Sequence, residues 1–156
     1  MSTDGTLSFG SGSTAQTLEF AAAIGQRLKG GEVIELASDL GGGKTTFVRG
    51  LAKGAGSADA VSSPSFTLSN EYTAPKLTIA HYDFYRLNEP GIMKQELEES
   101  INDPAVVTVV EWAGIVKDVL PQRRLTIHIT ATNQESRQFT CTAPAELGYL
   151  IEGLAT

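Results

Sequence analysis

The chain has 156 residues, 41% of them hydrophobic, enough for one packed domain and too short for two of ordinary size. Eighteen Asp and Glu against twelve Lys and Arg leave a net charge of −6, which opposes direct binding to nucleic acid or to an anionic membrane, so any nucleic-acid role is expected to run through a protein partner. A lone cysteine, Cys141, excludes an internal disulfide and suits a reducing compartment; with no basic, apolar leader and no apolar run near ~20 residues, a cytoplasmic location without membrane contact is expected.

Residues 1–12, rich in Ser, Gly and Thr, read as a loose terminus or, through Leu7 and Phe9, as a short edge strand, with the domain proper over 13–156. Ser13 followed by Gln16 is a capping-box pattern, and Leu18, Ala21, Ala22, Gly25 and Leu28 recur at helical spacing up to Lys29-Gly30-Gly31. Residues 32–37 form a strand that feeds a glycine-rich turn, and residues 44–53 form the helix leaving it, ended by Gly54 and Gly56. Phe66–Tyr72 and Leu77–Phe84 are β-type runs around Thr73-Ala74-Pro75-Lys76, an antiparallel hairpin pattern. An acidic helix over 91–100 precedes the apolar strand Ala105–Val110, which ends in Glu111-Trp112. A short helix over Ile115–Leu120, strands at 125–130 and 138–142, with Cys141 buried in the second, and a closing helix over 145–154 complete the pattern.

The turn after the first central strand carries the most chemistry. Asp39-Leu40-Gly41-Gly42-Gly43-Lys44-Thr45-Thr46 has the build of a phosphate cradle. Glycines let successive backbone N–H groups converge on one anion, the helix N-terminus adds positive potential, Lys44 supplies a cation and Thr45 a hydroxyl for magnesium. One position departs from the P-loop pattern: Ser38 stands where the first glycine belongs, at the strand exit and outside the amides of residues 40 to 45.

A cradle binds, but hydrolysis also needs a held metal and a placed water. Glu111 is the leading carboxylate, because the uncharged run before it implies a central strand whose carboxyl end faces the cleft. Asp83 is the second, within His81-Tyr82-Asp83-Phe84-Tyr85-Arg86-Leu87, where strand alternation sets His81, Asp83 and Tyr85 on one face. His81 is a candidate acid or base but, with no visible partner, reads more readily as structural, and Arg86 reads as the partner of an acidic neighbour. Trp112 is a candidate lid or a core residue. Ser63, Ser65 and Thr67, in Ser62-Ser63-Pro64-Ser65-Phe66-Thr67, occupy the place of a switch loop, and Arg137 is a candidate cationic contact from the far side or an ordinary surface arginine.

Taken in order, Asp39–Leu51, Ser63–Leu68, His81–Leu87 and Val110–Trp112 resemble the TsaE (YjeE) family, bacterial ATPases of tRNA threonylcarbamoyladenosine biosynthesis, over about residues 17–137. The resemblance implies a single-domain α/β P-loop NTPase fold, three-layered with a mixed parallel and antiparallel central sheet, that uses ATP and magnesium. It implies partners, the TsaD and TsaB proteins, which transfer a threonylcarbamoyl group to adenosine 37 of tRNA; the ATPase resets them between turnovers and meets tRNA only through them. Carried over by position, Asp39, Leu40, Gly41, Gly42, Gly43, Lys44, Thr45 and Thr46 bind phosphates. Thr45, Glu111 and Asp83 serve the metal, Lys44, Glu111 and Asp83 the catalysis. Thr14 receives the adenine end and Arg137 approaches the nucleotide. Ser38 replaces a family glycine and Ser65 a family threonine; both are small, so binding and hydrolysis are expected to survive. Two other readings stay open: a nucleotide-gated module without turnover and a small-molecule P-loop kinase, although no arginine-rich lid is visible.

Overall fold

A computed structural model of the chain describes residues 5–38, 43–64, 69–84 and 91–154. Its centre is a sheet of seven strands: β1 (Gly5–Ser11), β2 (Val33–Ser38), β3 (Ser69–Thr73), β4 (Thr78–Asp83), β5 (Val106–Glu111), β6 (Leu125–Ala131) and β7 (Arg137–Ala143), in the spatial order β1-β7-β6-β2-β5-β4-β3. β2 pairs in parallel with both β5 and β6, and β4 in parallel with β5. Antiparallel strands β1 and β7 flank one side and β3 the other, so the sheet is mixed.

Alternation along the strands sends side chains to two cores. Ile34, Leu36, Ile79, Val107, Val109, Ile127 and Phe139 share one face with Phe20, Ile24, Phe47, Val48 and Leu51 from α1 (Thr14–Gly25) and α2 (Lys44–Gly54). Val33, Ala80, Tyr82 and Val110 share the other with Leu97 of α3 (Gly91–Ile101) and with Ala113 and Val116 of a 3₁₀ turn, Ala113–Val116. Helix, sheet and helix make three layers. Burying each large apolar side chain contributes roughly 1.5–3 kcal/mol, so both faces are firmly held.

Local details depart from the sequence expectation for physical reasons. At α1 the Ser13 hydroxyl accepts from the Gln16 amide, but Gln16 Oε1 returns to the Gly12 amide, one residue earlier than a capping box prescribes. Gly54 is the last residue of α2 and Gly56 follows with φ 97, as the sequence implied; at Gly54 a Cβ would also run into the Ala22 carbonyl of α1. The segment expected as a short helix at Ile115–Leu120 begins earlier, as the 3₁₀ turn, because Trp112 reverses the chain directly after β5 with φ 57. The closing segment is also 3₁₀, Ala145–Leu150, where Leu147 and Leu150, three residues apart, are both buried. Cys141 is fully buried in β7, as its alternating setting implied. No helix among the described residues is long and apolar enough to cross a membrane.

Candidate functional site

β2, β4 and β5 run parallel, so their carboxyl ends lie on one edge of the sheet, where ligands of open α/β sheets collect. From that edge of β2 the chain passes to Gly43 and into α2. Gly43 adopts φ 98, a left-handed conformation that favours glycine, and Lys44 opens the helix. Asp39, Leu40, Gly41 and Gly42 lie outside the described residues.

Lys44 is only 7% exposed, so its ammonium needs compensation. Nζ donates to the Ser38 carbonyl at 3.4 Å, stands 4.0 Å from Glu111 Oε1 and sits 4.7 Å from the centre of the Trp112 ring. The side chain therefore bends back across the turn and ties its two ends together. A carbonyl, a carboxylate and a π face all favour a positive charge there.

Glu111 is 3% exposed and Asp83 4% exposed. They are register partners on adjacent parallel strands, and the odd-numbered residues of β4 and β5 face the layer of α1 and α2. Both carboxylates thus lie beside each other near the head of α2, as their strand positions implied. Glu35, on β2, shows the contrast: it points to the other face and pairs with Arg124 at 2.9 Å.

His81 corrects the sequence reading. Its Nε2 contacts Glu111 Oε2, so it has a partner thirty residues away in the chain, and its Nδ1 is buried without a hydrogen bond. The Trp112 ring lies 4.7 Å from Lys44 Nζ and packs against the α3-side core.

A narrow cleft of about 40 Å³ beside the head of α2 is lined by Thr14, Thr17, Gly43, Thr46, Gln134, Glu135 and Arg137. It joins four residues singled out from the sequence: Thr14, Gly43, Thr46 and Arg137. The Arg137 guanidinium donates to the carbonyls of Asn133 at 3.0 Å and Ser136 at 2.9 Å, which brace it over Gly43. Thr17, Gln134 and Glu135 were not anticipated; no local pattern marks a helix residue and a β-turn as neighbours. Thr45 occupies the first turn of α2, half-buried. Ser63 is exposed beside buried Pro64, while Ser65, Thr67, Tyr85 and Arg86 lie outside the described residues.

A wider recess, about 420 Å³, opens on the α3 side and includes Glu71, Glu96, Glu99 and Asp103 in its lining. Its lining has four carboxylates and, among the described residues, neither Lys nor Arg, which repels a triphosphate. The head of α2, by contrast, carries the cations Lys44 and Arg137. No group of three or more His, Cys, Asp and Glu suited to a metal occurs among the described residues.

Comparison with known proteins agrees with this architecture. The family described as "Threonylcarbamoyl adenosine biosynthesis protein TsaE" matches residues 11–139. The tRNA threonylcarbamoyladenosine biosynthesis protein TsaE of Bacillus subtilis is 40% identical over 115 residues, 74% of this chain and 72% of its own length. Its namesake from Nostoc sp. is 36% identical over 134 residues, covering 81% and 82% of the two chains. The crystal structure of Bacillus subtilis YdiB superposes with a TM-score of 0.74 at 33% identity, covering 90% of this chain and 87% of the other. The shared architecture is the P-loop fold, and the chain belongs to the TsaE family.

Proposed function

We propose that this protein, a member of a family of tRNA threonylcarbamoyladenosine biosynthesis, binds ATP with magnesium and hydrolyses it to ADP and phosphate as an accessory subunit acting with TsaD and TsaB. The observation that carries the reading is Lys44, buried at the head of α2 and facing Glu111, with Asp83 next to Glu111 in the sheet. A lone ammonium among carboxylates would be satisfied without a ligand. A phosphate cradle differs in that the cation also opens a helix whose first amides have no partner within the helix and point the same way.

Within this reading Lys44 and the amides that follow Gly43 bind phosphate oxygens. Thr45, Glu111 and Asp83 offer hard oxygen donors, which fit magnesium, and the bound ion would supply charge neutralisation on the phosphates. Whichever carboxylate is not engaged there orients water. Arg137 sets a second cation against the nucleotide, and Thr14 meets its base. The acidic whole explains the indirect route to tRNA, since an overall charge of −6 repels a polyanion and leaves contact to the partners.

Phosphate release measured with and without TsaB and TsaD tests the proposal. Release should be slow for the chain alone and rise on their addition, because partners that press on the segment after α2 would complete the catalytic arrangement. Glu111→Ala and Asp83→Ala should each lower the rate by about 10²-fold or more while ATP binding largely persists. Lys44→Ala should weaken binding itself. Equal, near-zero release with and without partners would instead make the protein a nucleotide-gated binding module, and carboxylate variants that hydrolyse ATP normally would refute the assignment of the site.

A further inference from the structure

We infer that His81 is the positioning residue of Glu111, holding one carboxylate oxygen so that the other is kept from closing onto Lys44. This deepens the nucleotide reading and rests on it for its functional consequence. The two oxygens of Glu111 are divided between two neighbours: Oε2 meets His81 Nε2, while Oε1 stands 4.0 Å from Lys44 Nζ, beyond hydrogen-bond distance. A carboxylate only accepts, so Nε2 carries the proton and donates. Buried Glu and Lys side chains left to themselves draw together into a direct ion pair, and such a pair would occupy both the group that grips phosphate and the group that serves the metal.

The environment of the imidazole supports a purpose beyond filling space. His81 is fully buried among β4, β5 and the Tyr72 ring, 6.2 Å away between ring centres. Its Nδ1 finds no hydrogen bond, although buried polar atoms nearly always have one. An apolar residue would fill the same volume without leaving that atom unmet. What an apolar residue lacks is the donor at Nε2, so the contact to Glu111 is the feature that accounts for a histidine here. Donors that orient ligating carboxylates in this way are typical of metal sites, and their loss typically costs 10–100-fold in affinity or activity.

The test compares His81→Phe, which keeps the volume and removes the donor, with His81→Gln, which returns an N–H near the position of Nε2. In ligand-free crystal structures of the variants, Glu111 should form a direct ion pair with Lys44 in His81→Phe and remain apart from it in His81→Gln. By calorimetry with magnesium and ATP, His81→Phe should bind about tenfold or more weakly, and His81→Gln should recover most of the loss. In a Glu111→Gln background, where no charge remains to capture Lys44, adding His81→Phe should cost nothing further, a coupling that a general packing defect would not produce. Additive losses, an unchanged Lys44–Glu111 separation in His81→Phe, or a glutamine no better than phenylalanine would overturn the inference. Long-range ¹H–¹⁵N spectra of the unaltered protein add a check independent of any variant: a proton on Nε2 with bare Nδ1 is expected, and the opposite tautomer refutes it. If ATP gave no heat with the unaltered protein, the nucleotide reading would fall, while the spectra and the variant structures would still decide the role of His81.

Discussion

Lys44 is the residue on which the most forces converge, and each neighbour acts on its charge differently. The Ser38 carbonyl shortens its reach, Glu111 opposes its sign and the Trp112 ring covers it. Trp112 is the only tryptophan in the chain, which makes the site optically addressable. Phosphates that draw the ammonium away from the indole should change its emission, so titration with ATP and magnesium is expected to shift tryptophan fluorescence saturably. In Lys44→Ala the change should vanish. A full fluorescence response in Lys44→Ala would separate Trp112 from the phosphate site.

At the scale of elements, the site depends on two helices pressed closely enough to fix where α2 begins. Gly54 marks the tightest approach, since any side chain there meets the backbone of α1 at Ala22. Gly54→Val should lower the denaturant midpoint by an amount equivalent to about 2–3 kcal/mol, the upper part of the usual range for overpacking. Ser13→Ala removes only an exposed cap at the far end of α1 and should cost about 1 kcal/mol or less, read in the same unfolding experiment. If the two variants were equally stable, the close contact of α1 with α2 would not be the constraint that the geometry indicates. β5 contributes in another way: its alternation delivers Glu111 to the α2 side and Val110 to the α3 side, so a register slip by one residue would exchange them and empty the site.

The whole molecule carries two further consequences. Its acidity predicts that the chain alone gives no tRNA shift in a native gel at physiological salt, whereas a complex with TsaB and TsaD does; retention of tRNA by the isolated chain would contradict the indirect route. Its buried acids predict alkaline sensitivity. Burial pushes the Cys141 thiol from an ordinary 9.0 up to about 12, and burial also raises Tyr82 and Tyr149, the latter aided by its hydrogen bond to Glu32. The folded state then keeps protons that the unfolded chain releases. Stability from Cys141 is fully present below pH 9 and is lost as pH rises from there to about 12. Urea midpoints measured at about pH 8 and about pH 10.5 should therefore fall, and Cys141→Ala, though less stable at the lower pH, should show the shallower decline.

Much of this protein was legible before any coordinates. The periodicity of residues 18–28, the glycine-rich bend before Lys44 and the apolar run into Glu111 are local patterns, and local patterns survive being read one residue at a time. They located helix, strand and carboxylate, and the serial order of four motifs pointed to the family. Where the turns depended on packing, at Trp112 and the 3₁₀ segment Ala145–Leu150, the local signal misled, because the deciding contacts come from other elements. Only tertiary structure decided that β2 lies between β5 and β6, that Arg137 is braced above Gly43, and that the histidine at 81 meets the glutamate at 111. Strand neighbours are chosen by long-range pairing and burial, which no window of sequence contains, and the partner of a buried side chain is chosen with them.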